Sequence, residues 1–330
     1  MTVKIGLIGA GGISGVHVSS LLTLKDARLV AFADINIDNA RTRAKQVQDA
    51  VAYSDFQEML DKETLDAVYL CTPPGVRYEP IAASVAKGLP VFCEKPAASN
   101  VADAEKTLDV IKRSGVHVEV GYVLRHLRII KKLRELLEDD RVVTVTSLYS
   151  SPMALDYYLG KTGASWFFDQ SKSGGALSDQ ATHTFDLIRH YAGEINSVAV
   201  RGTNKFNPKT EVFSVEDSHT VSMTTDDGVV ISHTHTWCHP QWRHFHIICG
   251  EKRFYELNLS RNILSVTEGA VKTEYAYPTN GYAVENKHFV DMVRAKDFSA
   301  SVSDYEDAVK TFKLTAQCLV ANVSGKFENL

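Results

Sequence analysis

Val3-Lys4-Ile5-Gly6-Leu7-Ile8-Gly9-Ala10-Gly11-Gly12-Ile13-Ser14 is the stretch on which the reading of this chain turns. Residues 3–8 form an apolar run of strand length, and Ile13, Val16, Leu21 and Leu24 then recur at helical spacing. Between them, Gly9 and Gly11 supply the first two glycines of G-x-G-x-x-G, with Ser14 in place of the third. Such glycines permit a tight turn and let the backbone approach a pyrophosphate, which rests on the helix N-terminus. A glycine-rich turn can be purely structural. Its strand-turn-helix setting makes Gly9, Ala10, Gly11, Gly12 and Ile13 candidate cofactor contacts. The next apolar strand, 29–33, ends in Asp34, twenty-three residues past Gly11. A carboxylate there accepts from ribose hydroxyls and repels a 2'-phosphate. Ile35 and Asn36 follow, with no Arg directly behind the strand, so NAD is favoured over NADP.

Outward from this stretch, strand-like and helical runs alternate: a helix over 39–49, a strand over 67–71, a helix over 78–87, a strand over 90–93, a helix over 102–114 and a strand over 117–120. That alternation is the pattern of parallel βαβ units and predicts a Rossmann dinucleotide-binding domain over 1–121. After a helix over 127–138 the character changes. Strand candidates at 142–149, 197–203, 217–225, 229–237, 244–249 and 253–258 follow, interrupted by a helix over 176–191, with further helices over 284–293 and 304–323. Residues 122–330 therefore read as an α+β domain built on a large, mostly antiparallel open sheet, serving substrate binding and oligomerisation.

Composition bounds the function. Forty-four per cent apolar and 23% charged residues in a chain of 330 argue for a globular protein with a sizeable core. The 36 basic against 40 acidic residues leave no basic footprint for nucleic acid, and no apolar run approaches the ~18 residues of a membrane span. No signal-peptide pattern precedes Val3, so a cytoplasmic location is expected. Cys71, Cys93, Cys238, Cys249 and Cys318 are widely spaced without a C-x-x-C pair, which reads as reduced thiols.

Two elements carry chemistry. Thr72-Pro73 and Glu94-Lys95-Pro96 close strands at the carboxyl edge where open α/β sheets bind ligands, and Lys95 there can hold an ammonium beside a developing alkoxide. A lone lysine also reads as a surface cation. Farther on, Gly174-Gly175 precede a helical stretch on which Asp179, His183, Asp186 and His190 share one stripe. A carboxylate one turn before an imidazole can fix its tautomer and raise its basicity, as a general base requires. The plain alternative is a solvated helix face.

Together GLIGAGGIS, the acid after the second strand, TPP, KGLPVFCEKP, VGYVLRH and GGALSDQATHTFD resemble the family of glucose-fructose oxidoreductase, inositol dehydrogenase and rhizopine-catabolism oxidoreductases. The resemblance implies an NAD-dependent dehydrogenase acting on a secondary alcohol of a sugar, sugar derivative or cyclitol. It further implies that Lys95 stabilises the substrate oxygen, His183 exchanges its proton and Asp179 positions the imidazole. On the same match Arg125, Trp166 and Tyr282 line the substrate pocket, Thr72, Pro73, Glu94 and Lys95 flank the cofactor, and no catalytic metal is used. Ser14 and Tyr78 depart from the family pattern on the cofactor side. Rival readings are a redox-neutral lyase or glycosidase that retains its NAD, and a sensing protein that binds ligand without chemistry.

His233, His235, His239, His244 and His246 fall on two strand-like runs, and alternation puts His233 with His235 and His244 with His246 on common faces. A metal site is conceivable, but a subunit interface or substrate wall fits such a face better. The open sheet is expected to be covered by self-association into a homodimer or homotetramer.

Overall fold

The computed structural model describes residues 2–161, 165–206, 210–211 and 213–330, with only the backbone of 165, 166, 171 and 172. Two compact units emerge: residues 1–126 with 280–310, and residues 127–279 with 311–330.

In the first unit, six strands β1 (Val3–Ile8), β2 (Ala27–Ala33), β3 (Val51–Tyr53), β4 (Ala67–Leu70), β5 (Val91–Cys93) and β6 (Val118–Val120) make one sheet in the order β3-β2-β1-β4-β5-β6. Every pairing is parallel. This is the doubly wound order of dinucleotide-binding folds. Strand β3 and the helix Phe56–Lys62 escape the periodicity reading, because β3 has three residues and only Tyr53 of them is buried. The core joins Ile5, Leu7, Phe32, Tyr69 and Phe92 to Phe289, Val290 and Val293 of the helix Gly281–Ala295. Tyr69, Phe92 and Phe289 pack with ring centroids 4.8–5.6 Å apart. Chain order alone would assign that helix to the second half; its buried Phe289, Val290, Met292 and Val293 assign it to the first unit.

In the second unit, β7 (Val142–Ser150), β8 (Ile195–Thr203), β9 (Ser218–Thr225), β10 (Val230–Thr236), β11 (Arg243–Gly250), β12 (Phe254–Asn258), β13 (Ile263–Glu268), β14 (Val271–Ala276) and β15 (Glu328–Asn329) form one sheet, ordered β14-β13-β12-β11-β7-β10-β9-β8-β15. All neighbours are antiparallel except β7 with β10. The β9–β10 hairpin turns at Asp226-Asp227-Gly228, with Gly228 at φ +85°. Strands β13 and β14 were not expected; β14 is an edge strand with no buried residue, so it carries no apolar alternation to read.

The single helix expected over 176–191 is two, Gly175–Asp179 and Ala181–Ala192, broken at Gln180. Gln180 Oε1 accepts from Trp237 Nε1 at 2.5 Å and from Ser151 Oγ at 3.3 Å, which pins the break to the sheet. Gly174 and Gly175 both have positive φ, and a Cβ on Gly175 would stand 2.9 Å from Val215. Only glycine fits this approach.

Candidate active site

The carboxyl ends of β1, β2 and β4 surround a cavity of about 490 Å³ lined by Gly9, Gly11, Asp34, Ile35, Thr72 and Pro73 among others. It lies where the strand order reverses, between β1 and β4, the ligand crevice of open α/β sheets. Gly9 has φ +91°, and a Cβ there would sit 2.7 Å from the Cys71 carbonyl carbon. At Gly11 and Gly12 an added Cβ would meet nothing within 4 Å, so the backbone is bare toward an approaching phosphate. Asp34 Oδ2 accepts from the Ala10 amide at 2.7 Å and Oδ1 from the Asn36 amide at 2.9 Å. The carboxylate thereby ties the glycine turn to the end of β2 and keeps lone pairs for a ribose. The buried Thr72 hydroxyl finds no partner among the described residues. Bare glycines, a strand-end acid and an orphaned hydroxyl fit a dinucleotide, with Gly9, Gly11, Gly12, Asp34 and Thr72 as the holding residues.

Two arginines were invisible to sequence reasoning because they bond to backbone carbonyls. Arg43 reaches back from the helix Ile37–Ala44, donating to the Gly11 carbonyl at 2.8 Å and to the Ser14 hydroxyl at 3.0 Å. Ser14 itself donates to the Gly11 carbonyl at 2.6 Å, so the residue in the third glycine position braces the turn. Buried Arg77 donates to the carbonyls of Thr72 at 2.7 Å and Lys95 at 3.2 Å, and to those of Glu94 and Pro96. It clamps the loops after β4 and β5 together, and so sets where Lys95 starts.

Behind Lys95 lies a buried polar group. Glu94 Oε1 is 2.8 Å from His17 Nε2, its Oε2 accepts from the Lys95 amide at 3.0 Å, and His17 Nδ1 is 2.9 Å from Asn286 Oδ1. Burial pushes the Glu94 carboxyl up, but the His17 hydrogen bond and the charges of His17, Lys95 and Arg77 outweigh it and hold the group below its usual value. Glu285 next door has both carboxyl oxygens buried without a partner, and burial first, then the charges of Glu94 and Glu119, raise its pKa well above the ordinary range. That shift favours the neutral acid. Because the folded pKa is raised, no cost exists below the unfolded value near 4.3; above it the unfolded chain ionises while the fold keeps its proton, and stability falls by up to about 1.4 kcal/mol per pH unit. In Glu285→Gln the urea-unfolding stability of the first unit is expected to lose this fall between pH 5 and 8; a pH dependence of that unit unchanged from the wild type would mean that Glu285 ionises in the fold.

Arg125, expected at the pocket mouth, is 5% exposed; it pairs with Asp307 at 2.6 Å and donates to the Val302 carbonyl at 2.5 Å. Its guanidinium braces the unit's own backbone. Tyr282, at the start of Gly281–Ala295, stands edge-on to His17 with centroids 5.7 Å apart. Tyr78 has Lys106 Nζ 3.5 Å above its ring. The side chain of Trp166 lies outside the described residues.

In the second unit, Asp179 ends one short helix and His183 lies in the first turn of the next, its amide donating to the Gln180 carbonyl at 3.1 Å. Both side chains are half-buried. The break leaves Asp179 on a different helix from His183, Asp186 and His190, and of these Asp186 is fully buried and accepts from Thr311 Oγ1 at 3.0 Å. Tyr149, which the sequence did not single out, belongs to this neighbourhood. Burial chiefly, with the Asp179 charge adding, raises its hydroxyl to about 12, so it is a neutral donor. Its ring stacks on His235 at 4.7 Å and meets His244 edge-on at 5.1 Å.

His233, His235, His244 and His246 are at most 1% exposed, on the sheet face that packs under the helix Ala181–Ala192. Register makes two rows, His233–Ser147–His246 and His235–Tyr149–His244. Alternation therefore predicted the shared face, but this is the unit's core rather than a subunit interface. His239 is exposed and apart, bonded to the Gln241 carbonyl. Among the described residues no group of three or more His, Cys, Asp or Glu is arranged to hold a metal ion, and no helix is long and apolar enough to cross a membrane.

Comparison with known proteins agrees with this architecture. Residues 3–122 match the family described as "Oxidoreductase family, NAD-binding Rossmann fold", and 130–256 match the "GFO/IDH/MocA C-terminal domain". The uncharacterized oxidoreductase YrbE of Bacillus subtilis is 26% identical over 231 residues, 68% of this chain and 64% of that protein. Myo-inositol 2-dehydrogenase of Thermotoga maritima is 31% identical over 196 residues, 58% of this chain and 55% of that one. The matched region thus spans less than two thirds of either relative. An NAD binding oxidoreductase from Klebsiella pneumoniae has the same fold, with a TM-score of 0.88 at 19% identity over 100% of this chain and 99% of its own.

Proposed function

The chain belongs to the GFO/IDH/MocA family of oxidoreductases with an NAD-binding Rossmann domain, and on that premise we propose that it oxidises a secondary alcohol of a sugar, sugar derivative or cyclitol. NAD, when bound, supplies the hydride acceptor. The protein's part is orientation and proton management. Lys95 holds the substrate oxygen and stabilises charge developing on it, His183 takes the hydroxyl proton, and Asp179 keeps the imidazole in the basic tautomer. The observation that carries this reading is the Arg77 clamp, which fixes the backbone of Lys95 and that of Thr72, on the wall of the dinucleotide cavity, to one guanidinium.

The test is a panel of cyclitols, sugars and sugar phosphates, beginning with myo-inositol, followed by NADH absorbance and product analysis. NADH accumulating one for one with ketone is expected. Product without NADH would favour the redox-neutral lyase, and binding without product the sensing protein.

Asp34 should make NAD bind more tightly than NADP, and Asp34→Ser with Ile35→Arg should reverse the order, since Ile35 is almost fully exposed on the cavity wall. Calorimetric titration giving equal or tighter NADP binding to the wild type would remove this preference. We further infer self-association through the outer face of the large sheet, where Leu148, Val230, Ile247 and Phe254 are 38–56% exposed. Sedimentation at micromolar concentration should give a species at least twice 36.5 kDa; a monomer alone would rule it out.

A further inference from the structure

A string of hydrogen-bonded side chains runs through the core of the second unit, away from the catalytic pair. Thr184, the residue after His183, is bonded through Oγ1 to His244 Nε2 at 3.0 Å. His244 Nε2 also stands 3.1 Å from His246 Nε2, and the opposite nitrogen of that second ring, Nδ1, is 2.7 Å from the Tyr191 hydroxyl. Tyr191, 9% exposed, lines a surface pocket of about 680 Å³ that also carries the exposed carboxylates Asp227 and Glu251. The string therefore begins at Thr184, next to His183 in the chain, and ends at Tyr191 on the lining of that pocket.

We propose that His244, His246 and Tyr191 form a proton relay that carries the proton taken up by His183 to water at the Asp227 and Glu251 pocket. The proposal rests on His183 being the base. The series is joined as hopping requires, His246 receiving at one ring nitrogen and releasing at the other. In the starting state His244 Nε2–H donates to His246 Nε2 and His246 Nδ1–H donates to the hydroxyl oxygen of Tyr191, whose own proton is the one to be released. A proton from His183 enters at His244 Nδ1 while the Nε2 proton passes to His246. The Nδ1 proton of His246 passes to the Tyr191 oxygen as the Tyr191 proton leaves to water. One proton enters and one leaves, the substrate's hydride having gone to NAD. The new Nε2–H of His246 then donates back to the lone pair left on His244 Nε2.

The groups facing His244 are His183, His233, His235, His246 and the Tyr149 ring, none of them anionic. Burial first, and these neighbouring imidazoles next, hold the pKa of His244 well below its ordinary value, and burial with His233 takes His246 to about 3. No ring stores the proton as imidazolium, so transfer runs between neutral tautomers.

The decisive measurement is NMR of the full chain carrying isotope-labelled histidine. The ring N–H of His246 should exchange with solvent, and Tyr191→Phe should slow that exchange by about tenfold or more while the other histidine signals stay in place. Should Tyr191→Phe fail to fold, His246→Gln is read at His244 instead. With the panel compound that best reduces NAD, Tyr191→Phe should keep the first-turnover rate of NADH formation but release its proton to an indicator dye about tenfold more slowly at low buffer, with recovery on adding imidazole. Exchange unchanged within about twofold in the variant would overturn the relay whatever His183 does. Exchange as expected, with His183→Ala retaining full turnover, would overturn the base assignment instead.

Discussion

His183→Ala is expected to lower turnover of a proven substrate by about 10²- to 10⁴-fold, the range for a lost general base. Lys95→Met should fall in the same range, since an ammonium opposite a developing alkoxide acts mainly on the transition state. Asp179→Asn should also be damaging, because an amide cannot stabilise an imidazolium as a carboxylate does. The three losses should not add, as they serve one proton-transfer unit. NAD affinity, measured by titration, should stay within about twofold of the wild type in all three. The groups that fit the dinucleotide, from Gly9 to Gly12 with Asp34 and Thr72, are held by Arg43, Arg77 and the sheet, not by these side chains. Near wild-type turnover in His183→Ala would remove the proposed base, and Lys95 would then be the group to examine.

How far the sequence foretells these positions depends on the kind of contact. The glycine turn and Asp34 are legible because local geometry dictates them: a tight strand-helix turn requires glycine at Gly9, and a strand end places the acid. Lys95 and His183 stand out only through the family resemblance, since a single lysine or an i,i+4 pair has an ordinary surface reading. The break at Gln180 is illegible, because it depends on Trp237 and Ser151, which are distant in sequence. Arg43 and Arg77 carry no motif, as a backbone carbonyl imposes no residue type on its own side of the bond. Strand alternation paired the sheet histidines correctly but cannot say which face of a sheet is inward. Helix Ala181–Ala192 decides that, through Phe185 against His233 and Thr184 against His244.

That inward face is expected to make the second unit acid-labile, the other large effect. Burial, reinforced by neighbouring imidazoles, lowers the pKa of His233 and His246 to about 3 and those of His235 and His244 well below the ordinary value. A depressed folded pKa means the stabilising balance is complete above the unfolded value near 6.5 and is lost as pH falls toward the folded one. In that window the unfolded chain binds protons that the fold refuses. Each ring then costs about 2 kcal/mol between pH 7 and 5, and four together approach the whole stability of a domain. All three tryptophans, Trp166, Trp237 and Trp242, belong to the second unit, so their fluorescence in urea reports this unit alone. Its unfolding midpoint is expected to drop steeply from pH 7 to 5. His235→Phe should shift the acid transition to lower pH, because both nitrogens of His235 are buried without partners and its ring already stacks on Tyr149. A midpoint that stays flat over this range would show that the imidazoles are protonated in the fold. The relay through His244 and His246 would then have to pass imidazolium ions, not neutral tautomers.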